Sequence, residues 1–314
     1  MSEASVHSVE RVLRETAVQA AWTQWTSLGG GGLRDSEGAP SSIVDPEALL
    51  LLSLYFIPAE RRLRDLVRWG AETGAELFSV QRMKTLLDEF PPETSERLPD
   101  FAYWAVEAGD KRWRQYAAED PPSSPGRERK GRDRLTLRTP SSLLLRLRSG
   151  IGVGAKADVL GCLLGIRESP ATTREVTRAA AYSRATVRGA LKGLSRAGFI
   201  EEQSGRPARY VAPVRPWMDL LWAGGVRPDD PPSWQHWGSL FAFLAHGHQW
   251  ARTATDQSEY VMSTRARDVF EAHEKAFEAN RIPTPDPDHH PGKEYVHGFA
   301  RLVDALAQWI PDHL

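Results

Sequence analysis

The sequence predicts a mainly α-helical protein with a small β-hairpin near its middle, and three observations carry that expectation. Apolar residues recur at three- and four-residue spacing over most of the chain, which places them on single helix faces. Glycine and proline clusters at 29–32, 91–92, 121–126 and 283–291 cut that pattern into short segments. Strand-like segments are confined to 199–203 and 208–211.

Taken in order, residues 6–27 read as a helix closed by Gly29-Gly30-Gly31-Gly32, with a disordered polar loop continuing to Ser42. Asp45-Pro46-Glu47 is a helix-start signal, since proline is tolerated in a first turn. The apolar run 48–57 that follows is about half the length a bilayer crossing needs, so it reads as a buried core helix. Pro58 starts the next helix, with Leu63, Leu66, Val67 and Gly70 inward; Ser79 caps another, with Val80, Met83, Leu86 and Leu87 inward. Residues 101–106 and 111–116 add two helical pieces, giving an all-helical domain over 1–118. Residues 119–142 form a Pro/Ser-rich basic linker whose run 127–134 either lies along phosphate or is a solvated connector. A central unit spans 143–216. Helices at 217–223, 239–252, 262–278 and 294–310 make up a C-terminal helical domain, 217–314.

The central unit carries the chemistry. Residues 156–167 place Val159, Leu160, Leu163 and Leu164 on one helix face. Thr172 stands three residues before Glu175, the reciprocal capping pair of a helix start. The small residues Ala179 and Ala180 allow close crossing by a second helix, which begins at Arg184 after the cap residue Ser183. That helix turns Val187, Ala190, Leu191 and Leu194 inward and stops at Gly198. Its opposite face holds Arg184, Arg188, Lys192 and Arg196, with Thr186, Gly189 and Ser195 between them: an open cationic ridge that fits a major groove. The hairpin that follows has a basic tip, Ser204-Gly205-Arg206-Pro207.

These residues resemble the winged helix-turn-helix of bacterial repressors in the multiple-antibiotic-resistance and arsenical-resistance classes. The resemblance covers about a quarter of the chain. It implies that the second helix reads the major groove and the wing reaches the backbone or minor groove. The expected DNA-contacting set is Thr172, Thr173, Ser183, Arg184, Thr186, Arg188, Lys192 and Arg196, with Arg206 and Arg209 on the wing. Charge agrees: between Arg127 and Pro216 there are nineteen Lys and Arg against seven Asp and Glu, in a chain whose net charge is −1.

Other chemistry finds no support. The chain of 314 residues, 41% hydrophobic and 26% charged, is ordinary for a globular protein. Its N-terminus lacks a secretory signal, so a cytoplasmic protein is expected. Cys162 is alone and reads as a core filler. Three glycines precede Lys156, but Ala157 stands where a phosphate-cradling loop needs Ser or Thr, so a helix-leading loop is the better reading. Asp286, Asp288, His289 and His290 lack metal-ligand spacing and lie among prolines. No serine elbow, paired-carboxylate spacing or HExxH is present, so no enzyme, cofactor or metal is expected. All eleven tryptophans lie outside the central unit and read first as core, then as interface or pocket residues. The chain is thus expected to be a regulator that binds double-stranded DNA as a homodimer, away from membranes, its flanking helices serving dimerisation or an effector. The second reading is an antitoxin-like interaction protein whose winged helix autoregulates or docks a partner.

Overall fold

In the computed structural model, residues 3–30, 41–122, 134–222, 231–254, 257–284 and 292–314 are described. The apolar run near residue 50 becomes α2 (Pro46–Phe56), capped by Asp45, whose carboxylate accepts from the Ala48 amide at 3.1 Å. All of α2 is buried, so it needs neighbours on every side. They are α1 (Glu3–Ser27), α3 (Leu63–Gly74) and α4 (Val80–Leu87) from before the central unit, and α11 (Trp237–Ala254) from after it. Outside them pack α5 (Leu98–Glu107) on α3, α12 (Glu259–Asn280) on α11, and α13 (Tyr295–His313) on α1 and α12.

The helices expected as two flanking domains, 1–118 and 217–314, therefore meet in one apolar core, running through Leu13, Leu50, Phe101, Phe241, Phe299 and Leu306. The reason is physical. A helix as apolar as α2 cannot be covered by the N-terminal helices alone, and α11 closes the remaining side. The winged helix is thus inserted in sequence between two halves of one helical body.

A second core belongs to the insertion. It is built from α6 (Leu143–Ile151), α7 (Ala155–Gly165), α8 (Thr173–Ala180), α9 (Arg184–Arg196) and α10 (Val214–Leu221), with strands β1 (Ala171–Thr172), β2 (Glu201–Gln203) and β3 (Arg209–Val211). The sheet is antiparallel in the order β1-β3-β2, with Ala171 opposite Tyr210 and Glu202 opposite Tyr210 on the other side. Helix α10 was expected in the C-terminal domain, but its Met218 and the following Trp222 pack into this second core. The loop between α6 and α7 uses Gly152 and Gly154 at positive φ, which agrees with a helix-leading turn. Gly165 lets the returning chain pass: its carbonyl accepts from the Trp234 amide at 3.0 Å, and a Cβ there would lie 2.7 Å from that nitrogen.

Some local expectations differ. Residues 111–116 give only a 3₁₀ turn at Lys111–Trp113, because Trp113 alone of that stretch is drawn fully into the core. Helix α3 begins at Leu63 rather than Pro58, the intervening residues forming turns. Strand β1 has two residues, too few to show alternation in sequence. The loop residues 31–40, most of the basic run at 127–134, and Asp286, Asp288, His289 and His290 lie outside the described residues. No described helix is long and apolar enough to cross a membrane.

Candidate nucleic-acid interface

The interface begins with two caps. Thr172 Oγ1 accepts from the Glu175 amide at 3.3 Å, and Glu175 Oε2 accepts from the Thr172 amide at 2.6 Å, closing a full capping box on α8. The backbone bond from Thr172 holds the Glu175 carboxyl below its ordinary value. Ser183 Oγ accepts from the Thr186 amide at 3.2 Å and lies 2.9 Å from Thr186 Oγ1. Thr172, Ser183 and Thr186 thus hold the two helices of the motif, and the hydroxyls expected at DNA already serve as caps. Thr173 begins α8, where its carbonyl accepts from Thr177 Oγ1 at 2.7 Å.

Between the helices the chain turns in three residues. Ala181 adopts the left-handed conformation at φ 54°, strained for a residue with a Cβ, and Tyr182 is buried beneath it. Helix α9 then presents two faces. Val187, Ala190, Leu191 and Leu194 are buried, whereas Arg184, Arg188, Lys192 and Arg196 are exposed. Successive members of the cationic set are four residues apart, so they advance about 40° each around the axis and form one broad stripe. A Cβ on Gly189, also outward, would meet nothing within 4 Å, leaving the ridge low between its cations. Arg184 stands in the first turn, where the helix dipole is already positive. That arrangement costs a lone helix a few tenths of a kcal/mol and concentrates positive potential where a phosphate would sit.

The wing supplies fewer cations. Arg206 is exposed at its tip, while Arg209 Nη1 donates to the Pro170 carbonyl at 2.9 Å and is fixed against the start of β1. Glu201 and Glu202, both exposed on β2, offset part of that charge.

Residues 156–216 match the family model described as sugar-specific transcriptional regulator TrmB. The matched span runs from α7 through the wing to the start of α10, so it coincides with the geometry just described. It is a winged-helix DNA-binding domain of the transcription-regulator kind. Comparisons with curated proteins and with solved structures return no match.

Behind the interface lies a feature that the sequence reading missed. Two guanidinium groups and three carboxylates are buried together between the two apolar cores. Arg148, from α6, takes Glu47 at 2.6 Å and 3.0 Å, Asp158 at 2.8 Å through two nitrogens, and the Leu77 carbonyl at 2.9 Å. Arg82, from α4, takes Glu47 at 2.6 Å, both oxygens of Asp45, and the Ala180 carbonyl at 2.9 Å. That last bond caps the C-terminal end of α8. Tyr182 closes the set by donating to Asp158 Oδ2 at 2.8 Å, beside Ser79 Oγ at 3.1 Å. Burial alone would raise the Glu47 carboxyl, but Arg148 and then Arg82 outweigh it and hold it below its ordinary value. Burial raises the Tyr182 hydroxyl, so it stays a donor.

This layer bolts the turn of the helix-turn-helix to the body. A signal for it was present: α7 is apolar around its whole circumference apart from Lys156 and Asp158, so Asp158 had to be buried and paired. Cys162, on the same helix, is a buried filler whose thiol burial pushes up to about 12.

Proposed function

We propose that the chain is a sequence-specific regulator of transcription that reads double-stranded DNA with the outer face of α9. The observation that carries this reading is the exposed stripe Arg184-Arg188-Lys192-Arg196: among the described residues none of the four forms an ion pair, and the helix behind them is fixed by its buried face. Arg188 and Lys192 reach base edges and Arg184 the phosphate, while Arg206 contacts the backbone or minor groove beside the wing. The finer likeness to repressors of the multiple-antibiotic-resistance and arsenical-resistance classes belongs to this proposal. The domain is a reader and not a catalyst.

Reading is done by a homodimer, since two readers match two half-sites about one DNA turn apart. Phe199, packed edge-on against Trp217, and Leu220 are exposed apolar side chains available to a second copy. The same surface is what a protein partner would use in the antitoxin-like alternative.

Affinity-selected sequencing with the full chain tests the reading. The expected result is an enriched motif with two related halves, and loss of binding in the double variant Arg188→Ala, Lys192→Ala. The absence of any enriched motif, or binding unchanged by both substitutions, overturns it.

A further inference from the structure

A cleft of about 310 Å³ opens in the helical body where α1, the end of α2, the 3₁₀ turn at Pro92–Arg97 and α11 converge. Three guanidinium groups line it, those of Arg14, Arg97 and Arg252, against two carboxylates, Glu10 and Glu93. The cleft thus has a formal surplus of one positive charge.

Both carboxylates are already engaged. Glu93 accepts from Gln249 Nε2 at 2.9 Å and 3.0 Å, and a bond from its own backbone amide helps to hold it below its ordinary value. Glu10 accepts from His248 Nε2 at 3.0 Å and has only a 3.8 Å contact with Arg14. The floor is a buried relay: the Tyr55 hydroxyl donates to His248 Nδ1 at 3.1 Å, and His248 Nε2–H donates to Glu10. Burial holds His248 below its ordinary value, against the pull of Glu10, so the ring stays neutral and both bonds have one direction.

The arginines here differ from Arg82 and Arg148. Each guanidinium offers five N–H donors, and the buried pair direct theirs to carboxylates and carbonyls on several sides. Among the described residues, Arg97 donates once, to the Glu93 carbonyl at 2.9 Å, and the exposed Arg252 forms no ion pair. Their remaining donors face a cleft whose other wall is apolar, made by Phe56, Pro58 and Ala59.

We propose that this cleft binds a small organic monocarboxylate, with its carboxylate between Arg97 and Arg252 and its apolar body against Phe56 and Pro58. A guanidinium fork matches the two oxygens of a carboxylate. One negative charge neutralises the surplus, whereas a dianion such as phosphate would overshoot it close to Glu10 and Glu93. The apolar wall selects an acid with a hydrocarbon body over a bare inorganic anion. Nothing in the site depends on how the winged helix reads DNA.

Calorimetric titration of the full chain without DNA tests this, using benzoate, hexanoate, benzamide and inorganic phosphate. Benzoate or hexanoate is expected to bind with a Kd of about 1 mM or tighter. Benzamide, which keeps the ring and loses the charge, and phosphate should bind at least about tenfold more weakly. Arg252→Gln and Arg97→Gln should each weaken the carboxylate by about tenfold, with Arg252→Lys recovering part of the loss. Arg252 is exposed, so its variants report even if Arg97→Gln folds poorly. Weaker binding of both carboxylates than that limit, equal binding of benzamide, tighter binding of phosphate, or no effect of either Gln variant overturns the assignment.

Discussion

The outer face of α9 and the charged layer beneath the helix-turn-helix use the same residue types to opposite ends. On α9 four cations stand in solvent with no ion-pair partner among the described residues. In the layer, Arg82 and Arg148 are 1% exposed and are surrounded by Asp45, Glu47 and Asp158. Charge left unpaired at a surface is available to a ligand, whereas charge paired in the interior fixes one arrangement of its neighbours. A reader needs both, because a cationic face finds its groove only if the helix carrying it is held at a defined angle.

Breaking the layer should produce the largest effect. Arg148→Met would leave Glu47 and Asp158 buried without their main partner, at a cost of about 3–5 kcal/mol in urea unfolding. A loss below about 1 kcal/mol would show that the layer is hydrated and unlike the closed network described. Acid should loosen the same region. His236, beside Arg178 of α8, is pushed down to about 4 by burial and by that arginine, so the unfolded chain takes up its proton first. Its contribution to stability is complete above pH 6.5 and is lost as pH falls through about 4. Glu47, also depressed, adds a loss below its ordinary value of 4.5. Urea midpoints that stay flat from pH 6.5 to 4 would contradict this. Thr172→Ala, which opens the capping box of α8, should cost about 1 kcal/mol by the same measurement. At the small end, Arg188→Ala with Lys192→Ala should move stability by no more than about 0.5 kcal/mol. A larger shift would mean that the outer face of α9 supports the fold and is less free for DNA than the comparison holds.

The two regions also differ in how far the sequence displays them. Helix α9 is local: Val187, Ala190, Leu191 and Leu194 repeat at the helical period, the cations fill the opposite face, and Ser183 and Gly198 mark the ends, all within sixteen residues. The caps at Thr172 and Ser183, the hairpin and nearly every helix were legible for the same reason. The layer is assembled from positions 45, 47, 82, 148 and 158, and no short-range pattern joins residues so far apart. Arg82 and Arg148 each sit in an amphipathic helix, where an arginine reads as surface. Asp158 in an almost wholly apolar helix was the visible anomaly. The single body core was hidden similarly, since the apolar faces of α1 and α11 are each plain in the sequence but their pairing spans the whole winged helix.

The insertion of the winged helix between the halves of the body has a consequence for synthesis. On the ribosome, α1 to α5 emerge without the three helices that complete their core, and they wait through the whole of residues 134–222 before α11 appears. The winged helix, whose core among the described residues then lacks only Trp234 of the return segment, is made before the body can close. The nascent chain therefore leaves the faces of α1 and α2 that receive α11 uncovered until late, and the assembly of the body is the step at which a chaperone would be needed.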